Sequence, residues 1–321
     1  MFYLRKVALA SSFTIDRIDL KGRIYERIGG PAYYASLALY MIGLEPLIIT
    51  SLGNNVKKVR DLLPEYDLLN IVDTDRGCSS IYTFYHRYGE NGKRYSEIHK
   101  TGCYVGLDKL DREVLNDTDW ILVSPVYREI RPEHIAGLVN SKKVALDLQG
   151  YSREITDHGV KSSIENLQKH LRMLSGLYII HLSSDDIQDI ASGGDNDLYK
   201  VSGLISRALI TAYTIGASGG YIYVSRGHSS SYVVGNMIRG VWHYIPAYKE
   251  KENGDPTGCG DIFLASMVGY MARGYSIIDS ALRASIISGI RVSRGFPIPI
   301  DHDEIEKIAE TLRRSIRRTD I

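Results

Sequence analysis

Short apolar runs alternate with stretches of helical periodicity along most of this chain, and that alternation limits its folds more than any other property. Strand-length runs occupy 6–10, 47–52, 120–124, 143–147, 177–181, 209–215 and 221–225. Helical patterns occupy 31–42, 131–139, 162–174, 185–192, 198–208, 261–273 and 276–294, and 301–318 reads as a closing amphipathic helix. Ser276, with Asp279 three residues on, has the pattern of a capping box and marks a helix start. Strands that alternate with helices build βαβ units, whose parallel strands are covered on both faces. The expected fold class is α/β: a doubly wound, mostly parallel sheet with helices on both faces. With 321 residues, 44% of them hydrophobic, the chain can bury a substantial core.

Two segments break the rhythm. Residues 14–28 alternate Ile15, Ile18, Leu20, Ile24 and Ile28 with charged positions. Residues 80–100 form a hairpin pattern with its turn near Asn91-Gly92. Together they predict a small β-sheet lid built from about 12–30 and 78–102, projecting from one domain that spans 1–321. No linker, repeat or low-complexity stretch divides the chain.

The net charge of +1 argues against nucleic acid and against an anionic membrane surface as partners. The one basic cluster, Arg313, Arg314, Arg317 and Arg318, falls at the tail of a predicted helix, where cations suit the dipole. Cys78, Cys103 and Cys259 make no C-x-x-C pair and no disulfide framework, which fits a reducing interior. Val7–Ala10 is too short for a signal-peptide core and no apolar stretch is long enough to span a bilayer, so a cytoplasmic location is expected.

The chemistry concentrates in Gly254-Asp-Pro-Thr-Gly-Cys-Gly-Asp-Ile-Phe263. Glycines at 258 and 260 flank Cys259, Asp261 follows, and an apolar run begins at once. This is a tight loop feeding a helix N-terminus, where free amides and the positive end of the dipole attract an anion. A carboxylate placed there is suited to taking a proton from a hydroxyl while the amides hold a transferring phosphoryl group.

Residues 255–261 resemble the Asp-Thr-Thr-Gly-Ala-Gly-Asp signature of the ribokinase-like (PfkB) carbohydrate kinases, with Pro256 in place of a Thr. The resemblance implies that Asp261 is the catalytic base and that Gly258, Cys259 and Gly260 form the anion hole, with Thr257 beside the nucleotide. It implies a ribokinase-like fold with a lid over the acceptor site. Further landmarks fall in the family's order. Asp16, just after the first strand, matches a carboxylate that accepts hydrogen bonds from sugar hydroxyls. Gly29-Gly30 matches a motif lining the acceptor pocket, with Tyr34 where the family usually has Asn. Ser183-Ser-Asp-Asp186 matches a degenerate Asn-x-x-Glu, so Asp186 would hold Mg²⁺ through water. Thr214-Ile-Gly216-Ala-Ser-Gly219 matches the Thr-x-Gly-x-x-Gly nucleotide loop, with a plain hairpin turn as the alternative. Asp255 would serve a monovalent cation, K⁺, as in some relatives.

Asp147-Leu-Gln149-Gly-Tyr-Ser-Arg153 resembles the Asp-x-Gln-Gly-x-x-Arg stretch of an inositol-kinase-like branch, which places Gln149 and Arg153 at the acceptor. The implied activity is ATP-dependent transfer of a γ-phosphoryl group to a hydroxyl of a small polyol or sugar, myo-inositol-like, with the adenine near 284–297. Two alternatives stay open. One is a nucleoside kinase, using Tyr33, Tyr34, Tyr82 and Tyr85 to stack on a base. The other is a non-catalytic binder of sugars or nucleosides. A homodimer through the lid is a further expectation drawn from relatives. No P-loop, H-E-x-x-H or G-x-S-x-G motif is present, no G-x-G-x-x-G follows the first strand, and the histidines show no metal spacing.

Overall fold

The computed structural model describes residues 6–20, 22–88, 94–157, 159–187, 198, 201, 208–225, 240–250, 254–295 and 300–319. Sixteen strands run in chain order through these residues. The first seven are β1 (Lys6–Ser11), β2 (Thr14–Leu20), β3 (Arg23–Gly29), β4 (Leu47–Thr50), β5 (Asn70–Asp73), β6 (Tyr82–Tyr88) and β7 (Arg94–Lys100). Next come β8 (Thr118–Ser124), β9 (Lys143–Asp147), β10 (Arg153–Thr156), β11 (Gly159–Ser162) and β12 (Leu177–Ser183). The last four are β13 (Ala208–Thr214), β14 (Gly220–Ser225), β15 (Gly240–Ile245) and β16 (Arg317–Thr319).

Ten of them form one sheet, in the order β16-β15-β14-β13-β12-β9-β8-β1-β4-β5. From β5 to β13 every neighbouring pair is parallel, and β14, β15 and β16 extend the sheet antiparallel. Strand side chains alternate between two cores. Val7, Leu9 and Leu122 face one core with the helices Pro31–Met41, Cys259–Ala272 and Ile277–Arg294, while Ala8, Ala10, Ile121 and Val123 face the other. Period-two alternation between two apolar layers is what a doubly wound sheet requires of its strands. The helix Cys259–Ala272 is buried along nearly its whole length, from Ile262 to Tyr270, which explains its apolar character on every side.

A second sheet, β3-β2-β6-β7, is built from the segments expected to form the lid. Its segments lie within the limits read from sequence, although the predicted turn at Asn91-Gly92 falls outside the described residues. Three expectations are corrected. Cys78 and Cys103 form a disulfide with their Cα atoms 5.9 Å apart, at the root of the β6–β7 hairpin. A separation of 25 residues hides this in the sequence, because only the hairpin brings the two positions together. The closing helix stops at Arg313, and Arg317 and Arg318 lie on β16, an edge strand paired with β15. The helix expected over 185–192 begins as a single tight turn, Ser184–Ile187; its remainder, and most of the helix expected over 198–208, lie outside the described residues. None of the helices described is long and apolar enough to cross a membrane.

Candidate active site

The parallel strands β1, β8, β9, β12 and β13 end at one edge of the sheet, and the site is assembled there. Open α/β sheets place their ligand crevices at this edge. Cross-strand register aligns Ser11 with Ser124, His181 with Asp147 and Ser183 with Thr214. Facing that edge, Gly258 turns the chain into the helix Cys259–Ala272 with φ +80°. A Cβ on Gly258 would lie 2.4 Å from the Tyr34 ring, so both backbone conformation and space demand glycine here.

Asp261 lies in the first helical turn, at the floor of a cleft of about 130 Å³. Its Oδ1 accepts hydrogen bonds from Gln149 Nε2 at 2.9 Å and from Ser124 Oγ at 3.3 Å. Burial, reinforced by the Asp147 charge, pushes its carboxyl up to about 7, against the opposing pull of Arg153, His181 and the Gln149 hydrogen bond. The loop amides divide. Cys259 N–H donates to Pro256 O at 3.1 Å, so its expected place in the anion hole is already spent inside the turn. The amides of Gly258, Gly260 and Asp261 have no acceptor among the described residues and remain available to an anion. Burial drives the Cys259 thiol up to about 11, which keeps it neutral at the cradle.

Asp16, Gln149 and Arg153 border the same cleft, walled by Tyr34, Phe84 and His86. Asp16 is buried on β2, and its Oδ1 accepts from Thr14 Oγ1 at 2.8 Å. Gly29, paired with Thr14 across β2 and β3, lies under that carboxylate: a Cβ there would come within 2.3 Å of Asp16 Oδ2. Gly30, at φ +83°, presses against Ser12 O. Gln149 bridges two charged groups, since its Oε1 accepts from Arg153 Nη2 at 3.1 Å while its Nε2 donates to Asp261. Arg153 also donates to Val126 O at 2.7 Å. These two residues thus orient the Asp261 carboxyl as well as lining the cleft.

The remaining sequence-predicted positions differ from expectation in instructive ways. Thr214–Gly219 is a hairpin turn between the antiparallel β13 and β14; Gly219 N–H donates to Gly216 O at 3.1 Å, and Gly216 is exposed. Asp186 is buried, with Oδ2 accepting from Ser183 N and Oγ and Oδ1 from Ser152 Oγ. Both of its oxygens are engaged within the fold, by three hydrogen bonds from Ser152 and Ser183. No cluster of three His, Cys, Asp or Glu side chains among the described residues fits a metal. Asp255 accepts from Thr257 N at 3.0 Å and Thr257 Oγ1 at 2.5 Å, and it pairs with Arg27 at 3.2 Å and Arg291 at 3.4 Å. Burial opposes the charge, but the Thr257 bonds and the two guanidiniums hold this carboxyl well below the usual range. The cations beside Asp255 in this structure are arginines.

Two positions of the segment expected near an adenine pack against the stretch after β15. Pro246 O accepts from Ser285 Oγ at 2.8 Å, and a Cβ on Gly289 would lie 2.1 Å from Tyr248 O. The tyrosines offered as base-stacking partners are mostly committed elsewhere. Tyr82 donates to Tyr127 O, Tyr85 donates to Asp19 and stacks on His99, and Tyr33 meets Tyr34 edge to face. Tyr34 alone of the four lines the cleft, with its ring under the Gly258 turn.

Sequence reasoning missed two histidines. His86 on β6 reaches the cleft wall with its Nε2 3.8 Å from Asp16 Oδ1. His181 on β12 is buried between Asp147 and Thr214. Neither belongs to a motif; each is visible only once strand register is known.

No protein-family model and no curated protein sequence matches this chain. Solved structures do. A pyrophosphate-dependent kinase of the ribokinase family, complexed with a pyrophosphate analog and myo-inositol, superposes with TM-score 0.69 at 16% identity, covering 94% of this chain and 99% of that one. The nucleoside kinase of Methanocaldococcus jannaschii gives TM-score 0.66 at 14% identity, over 96% and 99% of the two chains. Ribokinase from Thermotoga maritima gives 0.65 at 15%, over 95% and 99%. The sheet, its two helical layers and the lid of this chain are those of the ribokinase fold.

Proposed function

We propose that this protein is a kinase that transfers a phosphoryl group from a polyphosphate donor to a hydroxyl of a small polyol, myo-inositol-like. The observation that carries the proposal is Asp261. Its carboxyl stands at the cleft floor, raised to about 7, beside the unspent amides of Gly258 and Gly260. Such a group accepts a hydroxyl proton near neutral pH, and the amides offset charge on the transferring phosphoryl group. Asp16 supplies two carboxylate oxygens to hydroxyls of the acceptor, and Arg153 a planar guanidinium. The small cleft, bordered by charged and amide groups, favours a hydroxyl-rich ring over a nucleoside, since only Tyr34 of the four candidate tyrosines reaches it.

The donor has a second reading. ATP is the expectation from resemblance, whereas the contact of Tyr248 with Gly289 leaves no slot for a base between them and favours a compact donor such as pyrophosphate. Mg²⁺ would then be carried by the donor's own phosphates. The exposed edge strand β3, with Ile24 and Tyr25 outward, is the surface we assign to self-association, which sedimentation would detect.

The test is a phosphorylation screen with myo-inositol, ribose, ketodeoxygluconate, cytidine and adenosine, each with ATP and with pyrophosphate. Transfer to myo-inositol supports the proposal and the better donor decides the second reading. Transfer to cytidine or adenosine alone replaces the acceptor. Binding without transfer across the panel would mean a non-catalytic relative.

A further inference from the structure

We propose that His181 is a positioning residue for the phosphoryl donor, holding the Thr214 hydroxyl so that its hydrogen is free for a donor phosphate oxygen. The inference rests on the phosphoryl-transfer function proposed above and adds a residue that no motif identifies.

His181 is 2% exposed, and three elements close on it. From β9, Asp147 Oδ2 lies 2.8 Å from Nδ1. From β13, Thr214 Oγ1 lies 3.2 Å from Nε2. From the helix that follows the loop, Phe263 stacks on the ring with centroids 5.7 Å apart, and a Cβ on Gly260 would lie 3.4 Å from Cε1. Cε1 and Nε2 are bonded neighbours, so Gly260 and the Thr214 hydroxyl share one edge of the imidazole. The ring therefore lies directly beneath the anion cradle.

The proton arrangement follows from the surroundings. An ionised carboxylate only accepts, so Asp147 fixes a proton on Nδ1. The charged groups acting on this buried centre are the carboxylates of Asp147, Asp186 and Asp261 and the Arg153 guanidinium. The Asp147 carboxylate held against Nδ1 favours the imidazolium, in which both nitrogens donate. Burial lowers the proton affinity of His181, but the Asp147 charge and hydrogen bond outweigh it and the net shift is upward. Nε2–H then donates to Thr214 Oγ1, and the threonine hydrogen is left for another acceptor. Thr214 is half-buried as the last residue of β13, at the ligand-facing edge of the sheet. A phosphate oxygen over Gly258 and Gly260 is the acceptor this geometry suits. With a neutral, accepting Nε2 the hydroxyl would instead point inward and offer the phosphate only lone pairs.

A double-mutant cycle tests this. His181→Asn keeps an amide donor toward Asp147 and loses the one toward Thr214; His181→Gln does the reverse. Thr214→Val removes the hydroxyl and Thr214→Ser keeps it. The readouts are pyrophosphate binding by calorimetry without acceptor, and separate KM values for donor and acceptor. His181→Asn and Thr214→Val should each weaken pyrophosphate binding about tenfold, as loss of one hydrogen bond to a charged group predicts, with the acceptor KM unchanged. The His181→Asn/Thr214→Val protein should bind no worse than Thr214→Val alone, and His181→Gln and Thr214→Ser should stay near wild type. Additive losses, or a Gln variant as weak as the Asn variant, overturn the proposal. Should His181→Asn fail to fold, equal pyrophosphate affinity in Thr214→Val and Thr214→Ser overturns it instead. Wild-type transfer with an additive cycle defeats this inference alone. Pyrophosphate binding with a coupled cycle but no transfer defeats only the kinase function.

Discussion

Burying a carboxylate beside another carboxylate makes its charged form expensive, and at residue 261 that expense raises the carboxyl to about 7. Removing the proton acceptor should expose its role: Asp261→Asn should lower kcat by about 10²-fold or more while leaving donor affinity nearly intact, in a turnover and binding comparison. The rate of wild-type protein should rise with pH along a limb near 7, because the base must be ionised to act. The stability consequence has the opposite sign. Between an unfolded carboxyl value near 3.8 and the folded value of about 7, the folded state binds more protons. Stability therefore falls as pH rises through that window. Asp261→Asn should melt above wild type at pH 8, and the gap should close toward pH 4 in thermal melts. Asp16 depends on its neighbour in another way. Gly29→Ala would drive a methyl into the Asp16 carboxylate, and we expect a higher acceptor KM with the donor KM unchanged.

At the scale of elements, most strands and the long helices are legible in the sequence, because a period of two or of 3.6 residues is a local property. The strand Lys143–Asp147 lies where periodicity placed it, and the helix after Gly258 starts at its glycine turn. What stayed hidden depends on partners distant in sequence. Nothing near Arg317 announces an edge strand; only β15 makes it one. That Gly216 and Gly219 sit in a hairpin turn is set by the antiparallel pairing of β13 with β14, which the Thr-x-Gly-x-x-Gly pattern does not announce. The Cys78–Cys103 bond is the same kind of fact, created when β6 and β7 pair. Because it closes the root of the lid, Cys78→Ser with Cys103→Ser should cost about 2–4 kcal/mol in denaturant unfolding. The acceptor KM should rise more than the donor KM, since the lid carries Asp16 and Phe84.

Across the whole molecule, one ionic cluster joins lid, loop and helix. Arg27 from β3 and Arg291 from the helix Ile277–Arg294 meet on Asp255 at the entrance of the anion loop. We propose that these two guanidiniums serve Asp255 in place of K⁺; activity should then be the same in KCl, NaCl and tetramethylammonium chloride at equal ionic strength. Arg291→Met should abolish that indifference or activity itself, because it leaves Asp255 with less compensation in a partly buried setting. A strict requirement for K⁺ in wild-type protein would contradict the assignment.

By itself the sequence determined the layered α/β class, the segments of the second sheet and the decapeptide around Asp261, because hydrophobic period, turn residues and contiguous motifs are written along the chain. Only the tertiary structure decided which charges meet. Asp147, His181 and Thr214 come from three strands, and Arg27, Asp255 and Arg291 from a lid strand, a loop and a helix. The energy of a buried charge depends on what lies within a few ångströms of it, and that neighbourhood exists only after strands far apart in the chain have paired.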